Sequence, residues 1–400
     1  MRALGLKAPA AVANNSGSKR LRIAVLNRLF KPTGGGAERY SIALVEQLAQ
    51  KHEIHVFAQE IAHQFPGVTY HHVPLPFRRP RWINQLWFAI ATWWKTRTGF
   101  DIVHSHENTW HGNVQTVHVL PVRYNLLDGL TGWKRALRWL KVVSSPRLLT
   151  YLGLEMLRYQ MSDGRCIVVS SSSLKATMLK TFPHTKAALR IVTPGIEDVS
   201  GLVSDALKTE SRAALGLPVT GFCILLVGND FRKKGLPALL TALQQLPKNC
   251  FVAVVGNPAQ TVFVESDIAR LGLTDRVYFL GAMESVQSAY LAADCLAHPT
   301  LEDTFAMVVL EAMGNGLPVV VSNGRCCGIS ELLTHGENAL LLDNPLDGVA
   351  LARLLERLRL ETDLRTKLSG GALAFAVQHL WSQQALRLDA IYRSVKKLGS

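Results

Sequence analysis

Residues 299–321 read PTLEDTFAMVVLEAMGNGLPVVV, a loop, a helix and a strand in close succession. The loop is turn-prone and carries two acids, Glu302 and Asp303. The apolar spacing then predicts a helix from Thr304 to about Asn315, with Gly316 and Pro318 as stop signals. PVVV follows as a short buried strand. Asp303 and Glu311 stand eight positions apart, roughly 12 Å along a helix. Such a ruler suits a nucleotide sugar, with one acid for sugar hydroxyls and one for the ribose diol. The diphosphate would lie between them, at the unpaired N–H groups and positive dipole end of the helix start. An ordinary amphipathic helix with one solvated Glu meets the same spacing.

The longer run HPTLEDTFAMVVLEAMGNGLPVVVS, residues 298–322, resembles the acid-x7-acid segment of family-four retaining glycosyltransferases of GT-B fold. Aligned on Glu311, the first acid of that pattern falls on Asp303, where the family usually has Glu. Thr304 and Ala306 replace two glycines around Phe305. The resemblance covers most of residues 20–395. It implies an α/β protein of two Rossmann-like domains facing a cleft, with a nucleotide diphosphate sugar held mainly by the second.

Upstream of this stretch the same alternation runs back to residue 221. GFCILLVGND (221–230) reads as a strand, FRKKGLPALLTALQQL (231–246) as a basic loop entering a helix, and FVAVVGNP (251–258) as the next strand. Arg232, Lys233 and Lys234 precede Gly235; three cations in such a loop could neutralise a diphosphate, or simply face water. The family places a basic pair before this glycine, which falls on Lys233 and Lys234. Many members also carry Arg after the earlier glycine, where this chain has Asn229, and Arg232 is the candidate substitute. RVYFLGAMESVQSAYLAADCLAHPT (276–300) adds strand, helix and strand, and its Gly281–Ala282–Met283 turn resembles the family's backbone site for the nucleobase edge. Glu331 reads as structural, and Trp381 and Tyr392 as packing residues on a C-terminal helix.

The first half starts another alternation: RIAVLNRLF (22–30), a Gly-rich loop and helix from KPTGGGAER, and the strand HEIHVFAQ (52–59). Gly34, Gly35 and Gly36 do not form GxGxxG, so a dinucleotide fingerprint is weak. They serve a tight turn or let a ligand approach the helix start, and GGGAER resembles the family's first loop. FDIVHSHENTW (100–110) and NVQTVHVLPVR (113–123) read as strands bearing His104, His106, Glu107 and His118 near ligand-binding ends. The histidines lack the spacing of a zinc site. TVH resembles the family's T-x-H segment, which implies that His118 reaches the donor sugar. Glu107 and Arg123 are acceptor candidates or structural ion-pair members.

Composition bounds the rest. Four hundred residues with 48% hydrophobic content suffice for two cores. No apolar run reaches the ~18 residues needed to span a bilayer. Six scattered cysteines without CxxC fit a reducing, cytoplasmic setting. Charge is lopsided: residues 1–190 carry net +17 and the remainder −3. RRPRWINQLWFAIATWWKTRT (78–98) and GWKRALRWLK (132–141) combine cations with tryptophans. They suit the surface of an anionic membrane, or are core tryptophans beside solvated charge. No recognition motif argues for nucleic acid.

The expected organisation is a disordered tail (1–20), an acceptor-binding domain (21–195), a donor-binding domain (196–375) and a helix crossing back (376–400). The expected catalytic set is Asp303, Glu311, Lys234 and His118. Donor contacts fall on Gly35, Gly36, Arg232, Lys233, Met283, Thr304, Phe305, Ala306 and Met307, and acceptor contacts on Glu107 and Arg123; no metal or other cofactor is called for. The implied reaction is retaining transfer of a hexosyl unit, with UDP-hexose as donor. The acceptor would be a lipid-linked or phosphorylated glycan at the inner membrane face, as in lipopolysaccharide assembly. A GT-B enzyme of another reaction, such as a nucleotide-sugar epimerase, and a non-catalytic protein binding anionic membrane or nucleic acid are the rival readings.

Overall fold

The structure is a computed structural model and describes residues 19–32, 35–77 and 79–399. The expected tail and Gly34 thus fall, all but Lys19 and Arg20, outside the described residues. The first sheet is wholly parallel and has seven strands, Arg22–Leu26, Glu53–Ala58, Val68–His72, Ile102–Ser105, Val114–Val117, Cys166–Val169 and Leu189–Ile191. The second, also parallel, has six, Phe222–Val227, Cys250–Val255, Val277–Gly281, Cys295–His298, Val319–Ser322 and Leu340–Leu342. Counted in its own chain order, each sheet runs 3-2-1-4-5-6, and the first adds a seventh strand at its end. That order reverses between strands 1 and 4, and the crevice beyond their carboxyl ends is where such sheets bind ligands.

Burial on both faces explains the near-continuous apolar strands. Val319 and Val321 pack into one core of the second half while Val320 enters the other, and Cys223, Leu225 and Val227 alternate likewise with Phe222, Ile224 and Leu226. The last helix, Trp381–Gly399, leaves the second half and completes the core of the first. Its Trp381, Ala385, Leu388, Tyr392 and Val395 recur at helical spacing beside Ile23, Val25 and Leu44. The two crossings of the chain touch, with the Trp381 amide donating to the Ile196 carbonyl at 2.9 Å and the Ile196 amide to that of His379 at 2.9 Å.

Three local readings need correction, and one open alternative is decided. The helix after Asp303 begins at Met307, not Thr304, and ends at Gly314. The strand expected over 113–123 stops at Val117; Pro121 then starts a short helix, Val122–Leu127, which takes Arg123 out of the sheet. His104 lies within its strand, fully buried, rather than at a strand mouth. The tryptophans are not core: on the helix Arg81–Thr96, Trp87, Trp93 and Trp94 are exposed. On Gly132–Val143, Trp133 and Leu140 keep 69% and 67% of their surface.

Candidate active site

The binding wall of the second half is built where its strand order reverses. After Phe222–Val227 the chain turns through Lys233 and Lys234, and after Cys295–His298 it turns through residues 299–306. Gly235 lets the two loops touch. Its φ is +85°, and a Cβ there would lie 1.9 Å from the Pro299 carbonyl oxygen. The Lys233 carbonyl then accepts from the Leu301 amide at 2.9 Å. This contact presents Lys234 to Asp303, with Nζ 2.5 Å from Oδ2.

Asp303 collects four donors. Lys234 and His298 Nε2, at 3.3 Å, meet Oδ2, while the amides of Phe305 and Ala306 donate to Oδ1 at 3.2 and 2.8 Å. Burial alone would raise its carboxyl, but His298 and the Lys234 ammonium outweigh that and hold it well below the usual range. The side chain therefore caps the loop that enters the helix, which explains why helical hydrogen bonding starts only at Met307. The Phe305 and Ala306 amides, expected to face a diphosphate, are thus engaged by Asp303. Ala306 sits at φ +72°, the only non-glycine with positive φ among the described residues. A left-handed alanine stores roughly 1–2 kcal/mol of strain, at a position where the family has glycine.

About one turn into the helix Met307–Gly314, Glu311 bonds Arg39 Nη1 of the first half at 3.0 Å and accepts from the Tyr290 hydroxyl at 2.7 Å. A cavity of about 420 Å³ opens beside it, between the two halves. The halves also meet at the helix starts: Thr304 Oγ1 donates to the His118 carbonyl at 2.9 Å, and a Cβ on Gly36 would lie 3.6 Å from Met307 Sδ. Gly35 stands just before the helix Gly36–Ala49. Across the halves Thr304 thus meets His118, Met307 faces Gly36 and Glu311 meets Arg39; Lys234 pairs with Asp303 just before Thr304, and Met307 and Glu311 line the cavity. Met283 is half-buried next to the Gly281 turn and packs on the core. Lys233 pairs with Glu302 at 2.9 Å on the surface, an exchange worth roughly 0–1 kcal/mol. Arg232 is turned elsewhere, donating to the Phe263 carbonyl at 3.1 Å.

The first half lines its side with the half-buried imidazoles of His106 and His118, with His104 buried behind them. His118 Nε2 lies 2.9 Å from His106 Nδ1, and His104 bonds Thr116 and Tyr392. Burial, with Arg158 nearby, pushes His118 down to about 3, so it is neutral at physiological pH. Glu107 accepts from the Arg28 amide at 3.0 Å, and burial raises its carboxyl. Arg123 is exposed, its guanidinium over the Phe182 ring at 5.7 Å and its amide bonded to Glu155. Glu107 and Arg123 are not brought together.

Two parallel sheets of this order, facing each other across a cavity, define an α/β fold of GT-B class. The same fold appears in WaaG, a glycosyltransferase involved in lipopolysaccharide biosynthesis, with TM-score 0.78 at 21% identity over 92% of this chain and 99% of that one. It also appears in Anabaena Alr3699/HepE in complex with UDP and glucose, with TM-score 0.73 at 20% identity over 94% and 100%. Residues 34–199 match the model of Glycosyltransferase Family 4, and residues 208–373 that of Glycosyl transferases group 1. The chain belongs to these GT-B glycosyltransferases of the family-four type. Among curated relatives, a D-inositol 3-phosphate glycosyltransferase of Corynebacterium urealyticum is 30% identical over 242 residues, 57% of this chain and 56% of its own length. The lipopolysaccharide core biosynthesis glycosyltransferase LpsD of Rhizobium meliloti is 30% identical over 190 residues, 47% of this chain and 54% of its own. The chain thus spans little more than half the length of either relative.

Proposed function

We propose that this protein transfers a hexosyl unit, with retention and without a metal, from a nucleoside diphosphate hexose to a membrane-associated glycan. The carrying observation is the Lys234–Asp303 contact just before the helix Met307–Gly314, whose Glu311 lines the cavity between the halves. In this reading the donor diphosphate takes the Lys234 ammonium and the first free amides of the helix at Met307 and Val308. Charge-assisted bonds there stabilise the leaving group as the glycosidic bond breaks. Once Lys234 turns to phosphate, Asp303 Oδ2 is released toward a sugar hydroxyl, and neutral His118 offers a second polar contact. Glu311 holds the ribose. A leaving-phosphate oxygen takes the acceptor proton, because no side chain stands as nucleophile. UDP-hexose is the favoured donor, by likeness to the UDP-bound relative.

The acceptor side rests on the outer helices of the first half. Trp133, Leu137 and Leu140 form an uncovered apolar stripe among Lys134, Arg135, Arg138 and Lys141. Trp87, Ile90 and Trp94 form another on Arg81–Thr96, and the helix Pro146–Arg158 touches both helices. Such helices lie in an anionic interface, apolar face down. No helix among the described residues is long and apolar enough to cross a membrane. We place the work at the inner face of the cell membrane, in lipopolysaccharide or other surface-glycan assembly. Labelled UDP-hexoses offered with lipid-linked glycans should yield an anomerically retained product. Inverted product, or epimerised donor without transfer, refutes the assignment.

A further inference from the structure

Glu311 is gripped from both walls of the cleft. Tyr290, on the helix Gln287–Ala292, is 2% exposed and gives its hydroxyl proton to Oε2 at 2.7 Å. Burial, then the Glu311 charge, raises the phenol well above its ordinary range, so it remains a donor at working pH. Arg39, on the helix Gly36–Ala49 of the other half, meets Oε1 at 3.0 Å. A glutamate with three rotatable bonds would otherwise sample several rotamers. Two donors on different oxygens fix its plane, and each oxygen keeps a lone pair for another hydrogen bond. Those open positions lie beside the cavity of about 420 Å³, which Ile196, Asn315 and Trp381 also line.

We infer that Arg39 and Tyr290 are positioning residues for the donor ribose. They orient Glu311 so that its free lone pairs meet the 2′- and 3′-hydroxyls of a ribonucleoside diphosphate. Arg39 comes from the first half, so ribose recognition requires that half to be docked. The inference rests on the reading that Glu311 takes the ribose, and the test separates the two.

Calorimetry compares UDP, GDP and ADP with their 2′-deoxy counterparts and with inorganic pyrophosphate. Wild type should prefer the ribo form of its best nucleotide by at least about tenfold, because a hydrogen bond to a carboxylate is lost in the deoxy form. Glu311→Ala should erase that preference; if it persists, the ribose reading and this inference fall together. Arg39→Gln and Tyr290→Phe, with melting temperatures close to wild type, should each cut the preference at least about fivefold and leave pyrophosphate affinity unchanged. Arg39→Lys should recover part of it. Full retention of the preference in both variants, while Glu311→Ala loses it, overturns the inference. Pyrophosphate affinity that falls in step with nucleotide affinity overturns it too, by making Arg39 a phosphate ligand. So does tighter nucleotide binding in Arg39→Gln, by making it a competitor.

Discussion

The two halves share a strand order but finish it with opposite chemistry. At the mouth of the second sheet stand opposed charges held in pairs, Lys234 with Asp303 and Lys233 with Glu302. At the mouth of the first lie His106 and His118, stacked on each other and driven neutral by burial. Its cation on the cavity, Arg39, is paired with Glu311, and further Lys and Arg stand on its outer helices. Equal scaffolds therefore present an ionic wall suited to phosphates and a neutral wall suited to hydroxyls. Their carboxyl-end loops decide which.

The comparison breaks first at Lys234. Lys234→Ala should lower kcat/KM by at least about 10²-fold in a transfer assay while the protein stays folded, because the leaving diphosphate loses its nearest cation. Activity near wild type would mean that the ionic wall is only structural. The outer surface is the next target. Trp133→Ser with Leu140→Ser should weaken binding to vesicles containing anionic lipid by about tenfold or more, leaving donor binding intact. Indifference to lipid charge in wild type would leave a soluble acceptor.

The neutral wall can be read from acid. Burial, then His118 and Arg158, hold His104 at about 3, whereas an imidazole in the unfolded chain titrates near about 6.5. The folded pKa is the lower one, so this stability is complete above about 6.5. It is lost as pH falls toward 3, by about 1.4 kcal/mol per pH unit for each such histidine. Urea unfolding at pH 7 and pH 5 should show the decline, and His104→Asn should flatten it; equal slopes contradict the buried neutral assignment. The smallest effect is expected at Ala306. Ala306→Gly should stabilise the fold by about 1 kcal/mol by relieving its left-handed backbone. Destabilisation would show that the methyl group's packing outweighs the strain.

What was legible in the sequence was whatever lies along one contiguous segment. The basic pair before Gly235 and the Asp303–Glu311 spacing carried the second wall, because a strand followed by a helix start fixes where such residues emerge. The partners of those residues were not legible. Arg39 and Tyr290 reach Glu311 from distant segments, and no local pattern records a contact made by docking two halves. The late helix start reflects a competition: the Asp303 carboxylate claims amides that helical geometry would otherwise orient. Apolar periodicity in 81–96 and 132–143 looks the same whether the stripe is packed or uncovered, so only the fold reveals that Trp94 and Trp133 are exposed. Pro121 was a signal that could have been used, since proline favours the start of a helix and argued against a strand through Arg123.

The crossing at Ile196 and Trp381 also dictates an order of assembly. On the ribosome, the first sheet emerges long before the segment that seals it, and its flank beside Ile23 and Leu44 stays open to water throughout. Only once the helix Trp381–Gly399 has been made can Trp381, Leu388 and Tyr392 close that flank. The half made first is the half finished last, so a nascent chain halted before residue 381 leaves that flank unsealed.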